Sequence, residues 1–137
     1  METVSVLLAS SHLDFCKSLE SVLEGESWIE VIGTSSSEKS ILELTEELEP
    51  QVIVLDYDMA DDTLETGRTL LKIRPDIKII VLSVYDYVGS VDFKTVSKGQ
   101  KLAGDSIDWI SKNSGPVSLL ESISSSRKNK KKGRIIQ

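Results

Sequence analysis

The chain has 137 residues, enough for one domain with a core of its own. Hydrophobic residues make up 39% and charged residues 28%, an ordinary globular balance, and a single cysteine, Cys16, excludes a disulfide framework and a multi-cysteine metal site. The net charge of −6 is uneven: six of the sixteen basic residues lie between Arg127 and Arg134, so residues 1–126 hold 22 acids against 10 bases and repel nucleic acid.

Met1-Glu2-Thr3-Val4 lacks the basic region and apolar stretch of a secretory signal. No apolar run approaches the roughly 18 residues of a membrane span, so a cytoplasmic location is expected. Val4 to Ala9 is short, apolar and β-branched and predicts a buried strand, followed by Ser10-Ser11 as a loop and helix cap. Leu13, Cys16, Leu19, Val22 and Leu23 recur at helical spacing, and Gly25 ends that helix. Trp28 to Gly33 predicts a second strand, and Thr34 to Ser37 a polar loop with capping chemistry. Ile41, Leu42, Leu44, Thr45 and Leu48 mark a helix that Pro50 stops. Val52 to Leu55 predicts a third strand, and residues 56–62 an acidic loop. Leu64, Gly67, Leu70, Leu71 and Ile73 predict a helix ending before Pro75, and Ile77 to Leu82 a fourth strand.

The segment from Ser83 to Gly104 is expected to hold a further helix among irregular glycine-rich flanks, with Val88, Val91, Val96 and Leu102 spread along it. Ile107 to Ile110 predicts a short fifth strand. Gly115-Pro116 opens a last helix carrying Val117, Leu119, Leu120 and Ile123, with proline at a tolerated first-turn position. The expected organisation is a domain over 1–126 and a basic flexible tail or linker over 127–137. Strands buried on both faces, alternating with helices, predict an α/β fold on a parallel sheet. Ligands bind such sheets beyond the carboxyl ends of the strands. Ser10, Ser11, Asp56, Ser83 and Lys112 should therefore line the site.

Asp56, Ser83 and Lys112 at successive strand ends make the chain, over about residues 3–126, resemble the receiver domains of two-component response regulators. Val-Leu-Leu-Ala-Ser-Ser-His at 6–12, Ile-Val-Leu-Asp at 53–56, Val-Leu-Ser-Val-Tyr at 81–85 and Leu-Leu-Glu-Ser-Ile at 119–123 look most like the NarL/LuxR type. The resemblance implies a CheY-like, flavodoxin-like doubly wound sheet of strand order 2-1-3-4-5. It also implies that Asp56 accepts a phosphoryl group from a sensor histidine kinase, carboxylate nucleophilic chemistry helped by Mg²⁺. Ser83 would bond a phosphoryl oxygen, Lys112 would compensate charge, Trp109 would be the switch aromatic, and the backbone carbonyl of Asp58 would ligate the metal.

Ser10 and Ser11 stand where the family carries an acidic pair. Mg²⁺ is a hard ion that wants carboxylate oxygens, so its binding at Asp56 and Asp58 is expected to be weak. Asp58, Asp61 or Asp62 could compensate. The 28 residues between Ser83 and Lys112 exceed the usual spacing, and Ala60 replaces a frequent proline. Two functions follow: a receiver working through Asp56, which the retained Asp56, Ser83 and Lys112 favour, and a phosphorylation-independent pseudo-receiver for protein–protein interaction, which the lost pair favours. The partner is a sensor kinase or another signalling protein, with a homodimer as a candidate assembly. Nucleic acid is left to an effector domain absent here or to weak contact through residues 127–134. No enzymatic activity is expected: Ser11-His12 has no nucleophile-elbow pattern, and no glycine-rich phosphate loop or zinc spacing occurs. Cys16 and Trp28 read as packing residues, and Tyr57, Tyr85 and Tyr87 as loop aromatics near the site.

Overall fold

Apolar residues at strand and helix periods build an alternating chain in the computed structural model, which describes residues 3–57, 63–83 and 107–136. Strands β1 to β5 span Val4–Ala9, Ile29–Ser35, Val52–Asp56, Lys78–Ser83 and Ile107–Ser111. Helices α1 to α4 span Leu13–Glu24, Glu38–Leu48, Thr63–Ile73 and Pro116–Ile136, and a 3-10 turn at Lys112–Ser114 precedes α4. The strands are all parallel, in the order β2-β1-β3-β4-β5. This is the flavodoxin-like sheet that the resemblance implies. The helix expected between Ser83 and Gly104 lies outside the described residues.

Side chains alternate across each strand, so the sheet separates two apolar layers. One face carries Val6, Leu8, Val52, Val54, Ile80 and Leu82 against Cys16 and Leu23 of α1 and Leu119 and Ile123 of α4. The other carries Leu7, Ile53, Leu55, Ile79, Val81 and Ile107 against Ile41 of α2 and Leu70 of α3. Trp28 packs at the edge of the first layer, as a packing residue should.

One boundary and two local details differ from expectation. Residues 34 and 35 belong to β2 and not to a loop, because the β1 ladder continues beside them: Leu8 pairs Thr34 and Ala9 pairs Ser35. The register slips between Val6 and Leu7, leaving Ile32 as an extra residue, and Gly33 follows it. A β-carbon on Gly33 would stand 3.1 Å from both Leu7 Cδ1 and Leu48 Cδ1, so a side chain there would press on the leucine ends of β1 and α2, which glycine leaves undisturbed. Gly25 follows α1 in right-handed geometry, φ −70°, and caps it through its amide without a left-handed turn. Leu13 and Val22, expected on the inner face of α1, are 66% and 39% exposed. Leu13 is the first helical residue, and Val22 borders a groove between α1 and α4.

Pro50 stops α2 one residue after Glu49, which takes the left-handed conformation at φ 51°. Ser37 caps the other end, accepting from the Ser40 amide at 3.1 Å. Helix α4 is pinned by Leu119 and Ile123 and by a polar cluster. Lys78 Nζ bonds the Ser122 carbonyl at 3.0 Å and Ser125 Oγ at 2.6 Å, and pairs with Asp108 at 3.0 Å. The helical backbone then continues through the basic stretch to Ile136, where composition suggested a flexible tail. Lys and Arg are good helix formers, and no proline interrupts them. Among the described residues, no helix is long and apolar enough to cross a membrane.

Candidate functional site

Strand order brings the expected residues to one edge. β1 and β3 are neighbours with Ala9 opposite Leu55, so Ser10 follows β1 at the level of Asp56, the last residue of β3. β3 pairs β4 with Asp56 opposite Leu82, and Ser83 comes next, opposite Ser111 of β5. Lys112 then opens the 3-10 turn, with the Ser111 hydroxyl accepting from the Asn113 amide at 3.1 Å.

Asp56 is 1% exposed, yet a buried carboxylate is costly unless its charge is met. Two groups meet it. Lys112 Nζ donates to Asp56 Oδ1 at 2.8 Å, and Ser10 Oγ donates to Asp56 Oδ2 at 2.7 Å. Both are charge-assisted hydrogen bonds, shorter and stronger than neutral ones. The Lys112 side chain is only 14% exposed, and its ammonium lies 4.4 Å from the centre of the Phe15 ring. One negative and one positive charge thus balance inside the protein.

Ser11 and His12 are both exposed. Ser83 is 1% exposed at the end of β4. Trp109 lies partly buried on β5, and its ring meets that of Tyr57 at 5.2 Å and 60°. Among the described residues, no acceptor reaches the buried Trp109 Nε1 hydrogen. Thr63 Oγ1, at the start of α3, donates to the Tyr57 carbonyl at 2.5 Å and ties the far side of the 58–62 segment back to β3. Asp58, Met59, Ala60, Asp61 and Asp62 lie outside the described residues, as do Tyr85 and Tyr87.

Sequence reasoning missed Phe15. A signal existed: Phe15 lies one residue before the inward Cys16, in the first turn of α1, beside the carboxyl end of the sheet. It also missed that Ser10 turns inward to a carboxylate, since a serine after a strand reads equally as a helix cap.

The donor set bears on Mg²⁺. Among the described residues, no three His, Cys, Asp or Glu side chains converge as metal ligands. Asp56 offers a carboxylate, but each of its oxygens already receives a proton donor. The hydrogen that Ser10 Oγ directs at Oδ2 carries partial positive charge and opposes a cation at that oxygen. The described residues as they stand therefore do not fit a divalent-cation site.

Cys16 is buried on the inner face of α1. Burial pushes its thiol above the ordinary value of 9.0, and the negative charges of Glu20 and Asp56 push the same way. Unfolded chains ionise the thiol near 9.0 while the folded chain holds it protonated, so this contribution is full below 9.0 and is lost as pH rises through the folded value. Cys16→Ala is expected to flatten the alkaline fall in stability, measured as urea midpoints on either side of 9.0. An equally steep fall in the variant would refute this role.

No family model matches the chain. It is 31% identical over 121 residues to a protein-glutamate methylesterase/protein-glutamine glutaminase of Methanococcus maripaludis, a match covering 87% of this chain and 31% of that protein. It is 30% identical over 103 residues to the transcriptional regulatory protein DegU of Brevibacillus brevis, covering 72% of this chain and 43% of that one. The chain thus spans less than half the length of these relatives. The isolated REC domain of RcsB from Salmonella enterica serovar Typhimurium, in its apo form, superposes with a TM-score of 0.79 at 20% identity, covering 93% of this chain and 90% of that one.

Proposed function

We propose that the chain serves as an atypical response-regulator receiver of the NarL/LuxR-like kind, with Asp56 as phosphoacceptor and a weak Mg²⁺ site. One observation carries this reading: Asp56 is buried at a strand end with both oxygens engaged by Lys112 and Ser10. A buried carboxylate beside a lysine suits an acceptor whose product dianion needs compensating charge. Ser83, at the next strand end, is the candidate hydroxyl for a phosphoryl oxygen, and Trp109 the candidate aromatic that reports the change. With Ser10 donating to Oδ2, the help that Mg²⁺ gives to phosphoryl transfer is small.

The proposed partners are a sensor histidine kinase or another signalling protein, with signalling through protein–protein contact and a homodimer as one assembly. No catalytic turnover is proposed, since the methylesterase match covers only 31% of that protein. The excess of acids over bases in residues 1–126 disfavours nucleic acid as a main partner.

The test is incubation with acetyl phosphate, with and without Mg²⁺, followed by intact mass. A one-phosphate gain is expected that is slow, little accelerated by Mg²⁺ and absent in Asp56→Asn. Complete absence of the gain would favour the phosphorylation-independent pseudo-receiver, which the same two hydrogen bonds on Asp56 support. A rapid gain that saturates with Mg²⁺ would overturn the weak metal site.

A further inference from the structure

We infer that Ser10 is a positioning residue, holding the Asp56 carboxylate through a hydrogen-bond relay from the start of α1, so that the described residues satisfy both carboxylate oxygens without a divalent cation. The inference deepens the reading of Asp56 as the centre of the site, but it does not require Asp56 to be phosphorylated.

The relay is directional. The Ser10 hydroxyl accepts from the His12 backbone amide at 3.0 Å and has one proton to give. Two acceptors lie within reach: Asp56 Oδ2 at 2.7 Å and the His12 carbonyl at 3.4 Å. The carboxylate is both nearer and charged, so the proton goes there. His12 is the N-cap of α1, and its own side chain makes no cap bond. Ser10 thus satisfies one of the amides left free at the helix start and passes that polarisation to Asp56. Phe15, one turn further, lies under the ammonium that holds the other oxygen. The first turn of α1 therefore grips Asp56 through both of its oxygens.

A cation approaching Oδ2 would have to displace the Ser10 proton and then find no second carboxylate among the described residues. Exchanging Ser10 for aspartate removes the donor and supplies that carboxylate.

Thermal unfolding in MgCl2, against NaCl of matched ionic strength, tests the inference without any phosphodonor. The wild-type midpoint is expected not to respond to Mg²⁺ specifically. Ser10→Asp should have a lowered midpoint that Mg²⁺ raises again. Ser10→Ala should lower the midpoint, and much of that drop should vanish in an Asp56→Asn background, while Ser10→Thr, which keeps the hydroxyl, should retain it. A Mg²⁺ response in wild type as large as in Ser10→Asp would overturn the inference. So would independent, additive effects of Ser10→Ala and Asp56→Asn, a readout that holds even if Ser10→Asp does not fold. Failure of Asp56 to gain phosphate would leave these outcomes unchanged and would count only against the phosphoacceptor reading.

Discussion

Lys112→Met is expected to lower the unfolding free energy by about 3–5 kcal/mol, the cost of removing one partner of a buried ion pair. The loss comes from what stays behind. Asp56 is 1% exposed, and without the ammonium on Oδ1 its carboxylate keeps only the Ser10 hydroxyl of the two donors described. The methionine replaces the aliphatic stem and keeps contact with Phe15, so lost packing contributes little. The double variant Lys112→Met with Asp56→Leu should recover much of the loss, since an apolar pair of similar volume leaves no buried charge. Urea unfolding of the two variants decides this. A loss below about 1 kcal/mol in Lys112→Met would place the pair in the range of an exposed ion pair and would refute the electrostatic account of the pocket.

Ile123→Ala is expected to cost about 2–5 kcal/mol, the range for truncating a fully buried isoleucine. Ile123 is 0% exposed and, among the described residues, shares the anchoring of α4 with Leu119 at 3%. Val117, on the same helix, is 63% exposed and compensates nothing. The polar cluster of Lys78, Asp108, Ser122 and Ser125 remains after the substitution, so α4 should loosen rather than leave the sheet. Backbone amides from Leu119 onward should then exchange faster than those of β1 and β3. Uniform acceleration across the sheet would mean that Ile123 serves the whole core and not the docking of α4.

Much of the fold was legible because the strands are short, β-branched and buried on both faces, a pattern with no competing helical period. Val52 to Leu55 and Ile77 to Leu82 lead straight to β3 and β4. Legibility failed where pairing with a neighbour overrode local composition. Thr34-Ser35 reads as the start of a loop, yet the β1 ladder holds it as strand. Helix α1 was legible as an element, but the outward placement of Leu13 and Val22 was not, because helical periodicity marks a stripe and not its ends.

At the candidate site, the sequence by itself determined that Asp56, Ser83 and Lys112 stand at carboxyl ends of parallel strands, with Ser10 and Ser11 just past the end of the first. Residue type and strand pattern suffice for that, since chain order and sheet order place strand ends together. Only the tertiary structure decided that Ser10 and Ser11 differ in kind. One is 4% exposed and bonds Asp56, while the other faces solvent. Adjacent serines are indistinguishable as letters, because the direction of each side chain is set by the turn after β1 and by the His12 amide that closes on Ser10. The same holds for Phe15, whose ring meets Lys112 across 97 positions of sequence, a contact that only the folded sheet brings about.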